Sequence, residues 1–127
     1  MQALLIVFLG AGTGGALRHL VNVFGPSLWG RDFPWSTALI NVSGSLAMGL
    51  LIGYLALRSD GSLPQSVRLF LATGVLGGYT TFSSFSLDAM TLIERGQVGA
   101  AVAYVAGTIA LGLIGLWAGL LIMRSLP

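Results

Sequence analysis

The 127-residue chain contains no cysteine. A disulfide framework, a thiolate metal site and a cysteine nucleophile are therefore excluded, and nothing reports the redox state of its compartment. Charge is nearly as scarce. Only 8% of the residues are Asp, Glu, Lys or Arg, against about 25% in soluble domains. A soluble fold of this length would have too little polar surface to stay dissolved. The net charge of +2 is spread thinly and forms no basic patch, which argues against nucleic acid as a partner. With one histidine, His19, and four acids that lie mostly near loops, the chain offers no base and nucleophile pair, so an enzyme is the weakest reading. His19 reads as an interfacial polar residue, because a second histidine or a cysteine to share a metal is missing. The N-terminus has no basic run before its apolar stretch and is read as a retained helix, not a signal peptide.

What is present is apolar: 55% of the residues are hydrophobic. A membrane helix needs about 20 mostly apolar residues, and four stretches qualify, at about 3–24, 35–57, 67–90 and 98–123. Turn and charge signals separate them: Gly25-Pro26, Gly30-Arg31-Asp32 and Pro34; then Arg58, Asp60-Gly61 and Pro64; then Glu94-Arg95-Gly96. The expectation is one all-α membrane domain over 1–127, with short loops, in a multi-pass position in the cell (inner) membrane. Gly10-x-x-x-Gly14 and Gly115-x-x-x-Gly119 have the spacing of a helix-packing face. Four tightly packed helices leave no aqueous lumen, so any transmembrane path needs an oligomer.

All the basic residues are arginine. Four spans place Arg58, Arg68 and Arg124 on one side and Arg18, Arg31 and Arg95 on the other. This balance gives the positive-inside rule nothing to act on. The chain is expected to insert both ways and to pair antiparallel with itself.

The third span is unusual. Gly77 and Gly78 are poor residues for a helix interior, and a dense hydroxyl run follows them. Broken backbone in hydrocarbon is tolerated only where protein buries it or a cavity is lined by it. A break would free carbonyl oxygens, hard ligands that suit sodium or potassium. A kinked helix with back-bonded hydroxyls is the other reading. Phe82 and Phe85 share a helical face, either as core packing or as ring edges, which are positive, turned toward an anion. Ser83 stands between them, and the run carries no carboxylate to repel an anion; Asp88 lies just beyond it. Asn41, about two turns into the second span, is an interhelical clamp or a pore-lining donor. Thr37 is one turn earlier on the same face. Tyr104 and Thr108 share a face of the fourth span. Arg18 either snorkels to the interface or supplies a fixed positive field.

Three motifs combine here: Gly14-Gly15-Ala16-Leu17-Arg18; Trp35-Ser36-Thr37 with Asn41-Val42-Ser43-Gly44; and residues 74–86, whose Gly77-Gly78-Tyr79-Thr80-Thr81-Phe82-Ser83-Ser84-Phe85 is the most specific string. Together they resemble the Fluc family of small fluoride channels, also called CrcB proteins, over nearly the whole chain. The resemblance implies an antiparallel, dual-topology homodimer with two pores and passive export of fluoride. It implies a fluoride path along Asn41, Thr37, Phe82, Phe85, Ser83, Tyr104 and Thr108, with Arg18 at the vestibule. It also implies a structural sodium ion held by the backbone carbonyls of Gly77 and Thr80 from both chains. The expected partners are fluoride, membrane lipid and a second copy of the chain. In one departure, some members carry a serine where this chain has Gly112, so the role of that position does not carry over. The rival readings are a dual-topology drug or guanidinium exporter, which needs a carboxylate that the first span lacks, and a non-transporting packing subunit.

Overall fold

The computed structural model describes residues 1–57 and 64–126. Arg58 and the Asp60-Gly61 turn lie outside the described residues, and so does the part that Arg58 plays in the charge balance. Among the described residues there is no strand. Helices α1 (Gln2–Trp29) and α2 (Trp35–Leu57) are followed by α3 (Gln65–Arg68), which runs directly into a wide π-type stretch (Leu69–Leu76) and one further α-turn, α4 (Gly77–Tyr79). Two extended residues come next, and then α5 (Phe82–Glu94) and α6 (Val98–Arg124). Helices α1, α2 and α6 are long and apolar enough to cross a membrane. The third stretch, 67–90, expected as a span with a break in it, is a series of shorter elements interrupted at residues 80 and 81.

Two sequence signals resolve differently from expectation. Gly25-Pro26 does not end the first helix, which continues to Trp29 with Pro26 inside it. Proline disfavours a helical predecessor partly by striking its Cβ, and Gly25 has none. Gly25 is buried, and a Cβ there would overlap the Ser36 hydroxyl. The true stop is Gly30, with φ 82°, a conformation that suits glycine. The glycine pair Gly77-Gly78 is also helical. The chain becomes extended only at Thr80 (φ −73°, ψ 156°) and Thr81 (φ −150°, ψ 117°).

Glycine sets the helix crossings. A Cβ on Gly14 would overlap the Val75 carbonyl, and one on Gly78 would overlap the Ala11 carbonyl. Gly10 and Gly74 meet backbone to backbone at the same crossing. Thus α1 lies directly against the elements that lead to the extended pair. Helix α2 lies along α6 in the largest interhelical contact, where Gly49 faces the Leu116 carbonyl and Gly119 faces Leu46 and Leu50. These are close approaches that only small residues permit. The buried hydrophobic set among the described residues is small: Ile40, Phe85, Leu92, Ala101 and Tyr104. Long runs of leucine, isoleucine and valine face outward, as in a protein whose exterior solvent is hydrocarbon.

Candidate functional site

The site is built around the extended pair Thr80-Thr81. In an unbroken helix the Thr81 N–H would bond to the Gly77 carbonyl. Here it donates to Asn41 Oδ1 at 2.8 Å, while Asn41 Nδ2 donates to the Thr81 carbonyl at 3.0 Å. One amide side chain thus satisfies both backbone groups of Thr81. Asn41 is therefore the interhelical clamp, and one of its two N–H bonds remains to serve as a donor. Two residues later, Ser43 Oγ lies 3.1 Å from the Tyr79 hydroxyl, and a Cβ on Gly44 would overlap the Thr80 methyl. The Asn41-Val42-Ser43-Gly44 motif is thus the seat on which α2 receives the extended pair. On the other side of that pair, Thr81 caps α5, its hydroxyl accepting from the Ser84 N–H at 3.2 Å. This is the N-cap geometry that threonine favours.

Arg18 reaches the same segment from α1. Its Nη1 donates to the Thr80 carbonyl at 3.2 Å, and the side chain is half-buried. The carbonyls of Gly77 and Thr80 are the two oxygens that the family resemblance implies for a sodium ion. Gly77 has lost its helical donor, and Thr80 has one lone pair directed to Arg18. Among the described residues there is no cluster of three or more His, Cys, Asp or Glu. Backbone carbonyl oxygen is a donor type that fits a hard monovalent ion. One chain supplies two such oxygens, an incomplete shell.

A groove of about 360 Å³ opens beside the extended pair. Asn41, Ser45, Thr80, Thr81, Phe82, Phe85 and Thr108 line it, with apolar residues of α6 toward its far end. It contains no charged side chain. The structure brings Asn41, Phe82, Phe85 and Thr108 together here. Phe82 and Phe85 have ring centroids 5.8 Å apart. Phe85 is buried, whereas Phe82 is 80% exposed and forms an open flank of the groove. Ser83 is exposed, lies 3.4 Å from the Thr81 hydroxyl, and is outside the groove lining.

Tyr104 and Thr37 fall elsewhere. Tyr104 is 1% exposed and sits behind Phe85, with centroids 5.2 Å apart. Its hydroxyl donates to Asp88 Oδ2 at 3.2 Å. Thr37 and Asp88 line a second cavity, of about 250 Å³, at the ends of α1 and α5. Sequence reasoning missed Phe33, which meets Tyr104 edge-on at 5.6 Å and Trp35 at 4.5 Å. Five rings therefore run in contact from Phe82 to Trp35. The aromatic content of Phe33-Pro34-Trp35 was the available signal, masked by the proline and charges that mark the segment as a loop. Ser45 was also missed, because nothing in its own position distinguishes a groove serine from a back-bonded one.

Residues 5–120 match the family described as CrcB-like protein, Camphor Resistance (CrcB). A relative from Beijerinckia indica subsp. indica, named fluoride-specific ion channel FluC, is 60% identical over 126 residues, 99% of each chain. A FluC from Rhodopseudomonas palustris (strain BisB5) is 55% identical over 122 residues, 96% of this chain and 97% of its own. One from Mesorhizobium japonicum is 49% identical over the whole of both chains.

Proposed function

The chain belongs to the CrcB-like family of membrane channels and is a multi-pass membrane protein, not an enzyme; from that premise we propose that it is a fluoride-selective channel. The observation that carries this reading is the uncharged groove in which the Asn41 amide, the Thr108 hydroxyl and the rings of Phe82 and Phe85 meet. Fluoride is small and strongly hydrated, so a dry path must replace its water with donors. Amide N–H, hydroxyl O–H and ring edges are neutral and individually weak. Several such sites in series let the ion enter and leave, which one strong cation would not. A carboxylate would repel it, and the groove has none. The exporter alternative lacks its cation-binding acid, since α1 contains no Asp or Glu.

The groove is open on one side, flanked by the exposed Phe82. An antiparallel homodimer, inserted in both orientations with four crossings per chain, would close two such grooves by symmetry. Thr37, Ser83 and Tyr104 extend the path beyond the groove, and Arg18 adds positive field at its approach. Sodium at the dimer centre would take the Gly77 and Thr80 carbonyls of each chain and would hold the two extended pairs together. Flow is passive. In an inner membrane with the inside negative, the potential favours anion exit by about 2.3 kcal/mol per charge per 100 mV, which lowers cytoplasmic fluoride and its toxicity.

The test is fluoride efflux from liposomes carrying the purified chain, read by electrode, with chloride measured in parallel. Rapid fluoride release with little chloride release supports the channel. Absence of fluoride release from correctly folded, reconstituted protein overturns it. Chemical cross-linking at limiting protein density reports whether the active unit is a dimer.

A further inference from the structure

Below Asn41 and Thr108 the groove continues toward the C-terminal end of α6, and there α6 presents Gly112, a residue without a side chain. The space in front of it is not filled by apolar packing. A Cβ placed on Gly112 would meet a single heavy atom within 4 Å, the hydroxyl oxygen of Ser45, at 3.5 Å. Ser45 is one turn beyond Asn41 on α2, is half-buried, and lines the same groove. It is the one polar side chain in this lower part, where its neighbours are Ile109, Leu113 and Leu116.

We propose that Ser45 supplies the lower hydroxyl of the anion path in this chain, across the groove from the position that Gly112 leaves empty. Its ligand is a small, strongly hydrated anion, fluoride under the reading above, on which this inference rests. The Ser45 hydroxyl donates to the Asn41 carbonyl at 2.8 Å. That carbonyl is also the helical acceptor for the Ser45 N–H, so the hydroxyl bond is supplementary, of the back-bonded kind that contributes little to a helix. Rotation about one bond turns the proton from Asn41 toward the groove. The Thr108 hydroxyl makes no hydrogen bond to another described residue and is available to donate as well. An ion handed down from the Asn41 amide thus meets Thr108 on α6 and then Ser45 on α2. Without Ser45, the next stretch of wall would be wholly apolar, and a desolvated anion there would have no donor.

The test moves the hydroxyl across the groove. Ser45→Ala should slow fluoride efflux from liposomes by about tenfold or more, the worth of one hydrogen bond to a charged group. Ser45→Ala/Gly112→Ser should restore the rate to within a few-fold of the unmodified chain. Ser45→Ala/Gly112→Ala, matched in backbone but lacking the hydroxyl, should not. Thermal unfolding in detergent establishes that each variant is folded. Ser45→Gly removes the same hydroxyl and replaces the alanine variant should that one not fold. Undiminished efflux in folded Ser45→Ala would overturn the inference, as would equal rescue by alanine and serine at position 112, or failure of the folded double variant with serine to recover. A folded but inactive unmodified chain would instead overturn the channel reading, and this inference with it.

Discussion

The guanidinium of Arg18 on the first helix donates to the carbonyl of Thr80, 62 positions away, at 3.2 Å. A charge that the sequence places at a membrane boundary is thus tied to the backbone of the extended segment. A donor to a carbonyl that has lost its helical partner is worth more than a snorkelling contact. Arg18→Gln should speed amide exchange locally, in peptides covering residues 77–86, by about tenfold, while α2 and α6 stay protected. Arg18→Lys should recover part of that protection. Mass-spectrometric hydrogen exchange on the folded protein reads both. Unchanged exchange with lost conduction would show that Arg18 acts through its field alone.

Asn41 joins α2 to the same segment with both ends of its amide. Asn41→Asp keeps the acceptor for the Thr81 N–H but sets a second oxygen against the Thr81 carbonyl. Asn41→Leu leaves both backbone groups without partners. Each substitution should lower stability by about 1–3 kcal/mol, the cost of an unsatisfied buried polar group, and should abolish fluoride efflux. Thermal unfolding and the liposome assay check the two effects separately.

Phe82 and Phe85 separate path from packing, because one is exposed and the other buried. Phe82→Ile should leave the unfolding midpoint of the isolated chain nearly unchanged while reducing fluoride efflux. Phe85→Ile should reduce both, with a stability loss of about 1–3 kcal/mol, since Phe85 packs between Phe82 and Tyr104. Equal stability losses for the two would contradict the exposure difference.

Neighbouring glycines on α1 should also behave differently. Gly14→Ala drives a methyl into the Val75 carbonyl and to within 2.7 Å of the Tyr79 nitrogen. It should cost about 1–3 kcal/mol of stability and shift the extended segment. Gly15→Ala meets nothing within 4 Å and should be neutral or stabilising, by up to about 1 kcal/mol. Paired unfolding curves decide it.

Much of this was legible before any coordinates. The apolar runs located α1, α2 and α6 closely, because membrane-spanning length and composition are properties of a single segment. The hydroxyl run after Gly77-Gly78 marked the region of irregular backbone, although the extended residues are Thr80 and Thr81 and the glycines serve a close helix crossing. Gly25-Pro26 misled, since a proline preceded by glycine fits inside a helix. The family resemblance put Asn41, Phe82, Phe85 and Thr108 on one path, but that Tyr104 and Thr37 fall outside their groove was not readable. Residues one turn apart share a helix face but lie about 6 Å apart along its axis, so what each one meets depends on the path of the neighbouring elements.

The sequence alone determined that this chain is helical and solvated by lipid, and that the run from Thr80 to Ser86 carries hydroxyl and aromatic groups without acid or thiol. Those facts follow from composition and period, which need no knowledge of contacts. Only the tertiary structure decided that Asn41 grips Thr81, that Arg18 finds Thr80, and that Ser45 stands opposite Gly112. The two backbone grips join residues 40 and 62 positions apart, and all three relations cross between helices. They depend on how closely glycine lets α1 and α6 approach their neighbours, and on the two extended residues that separate α4 from α5.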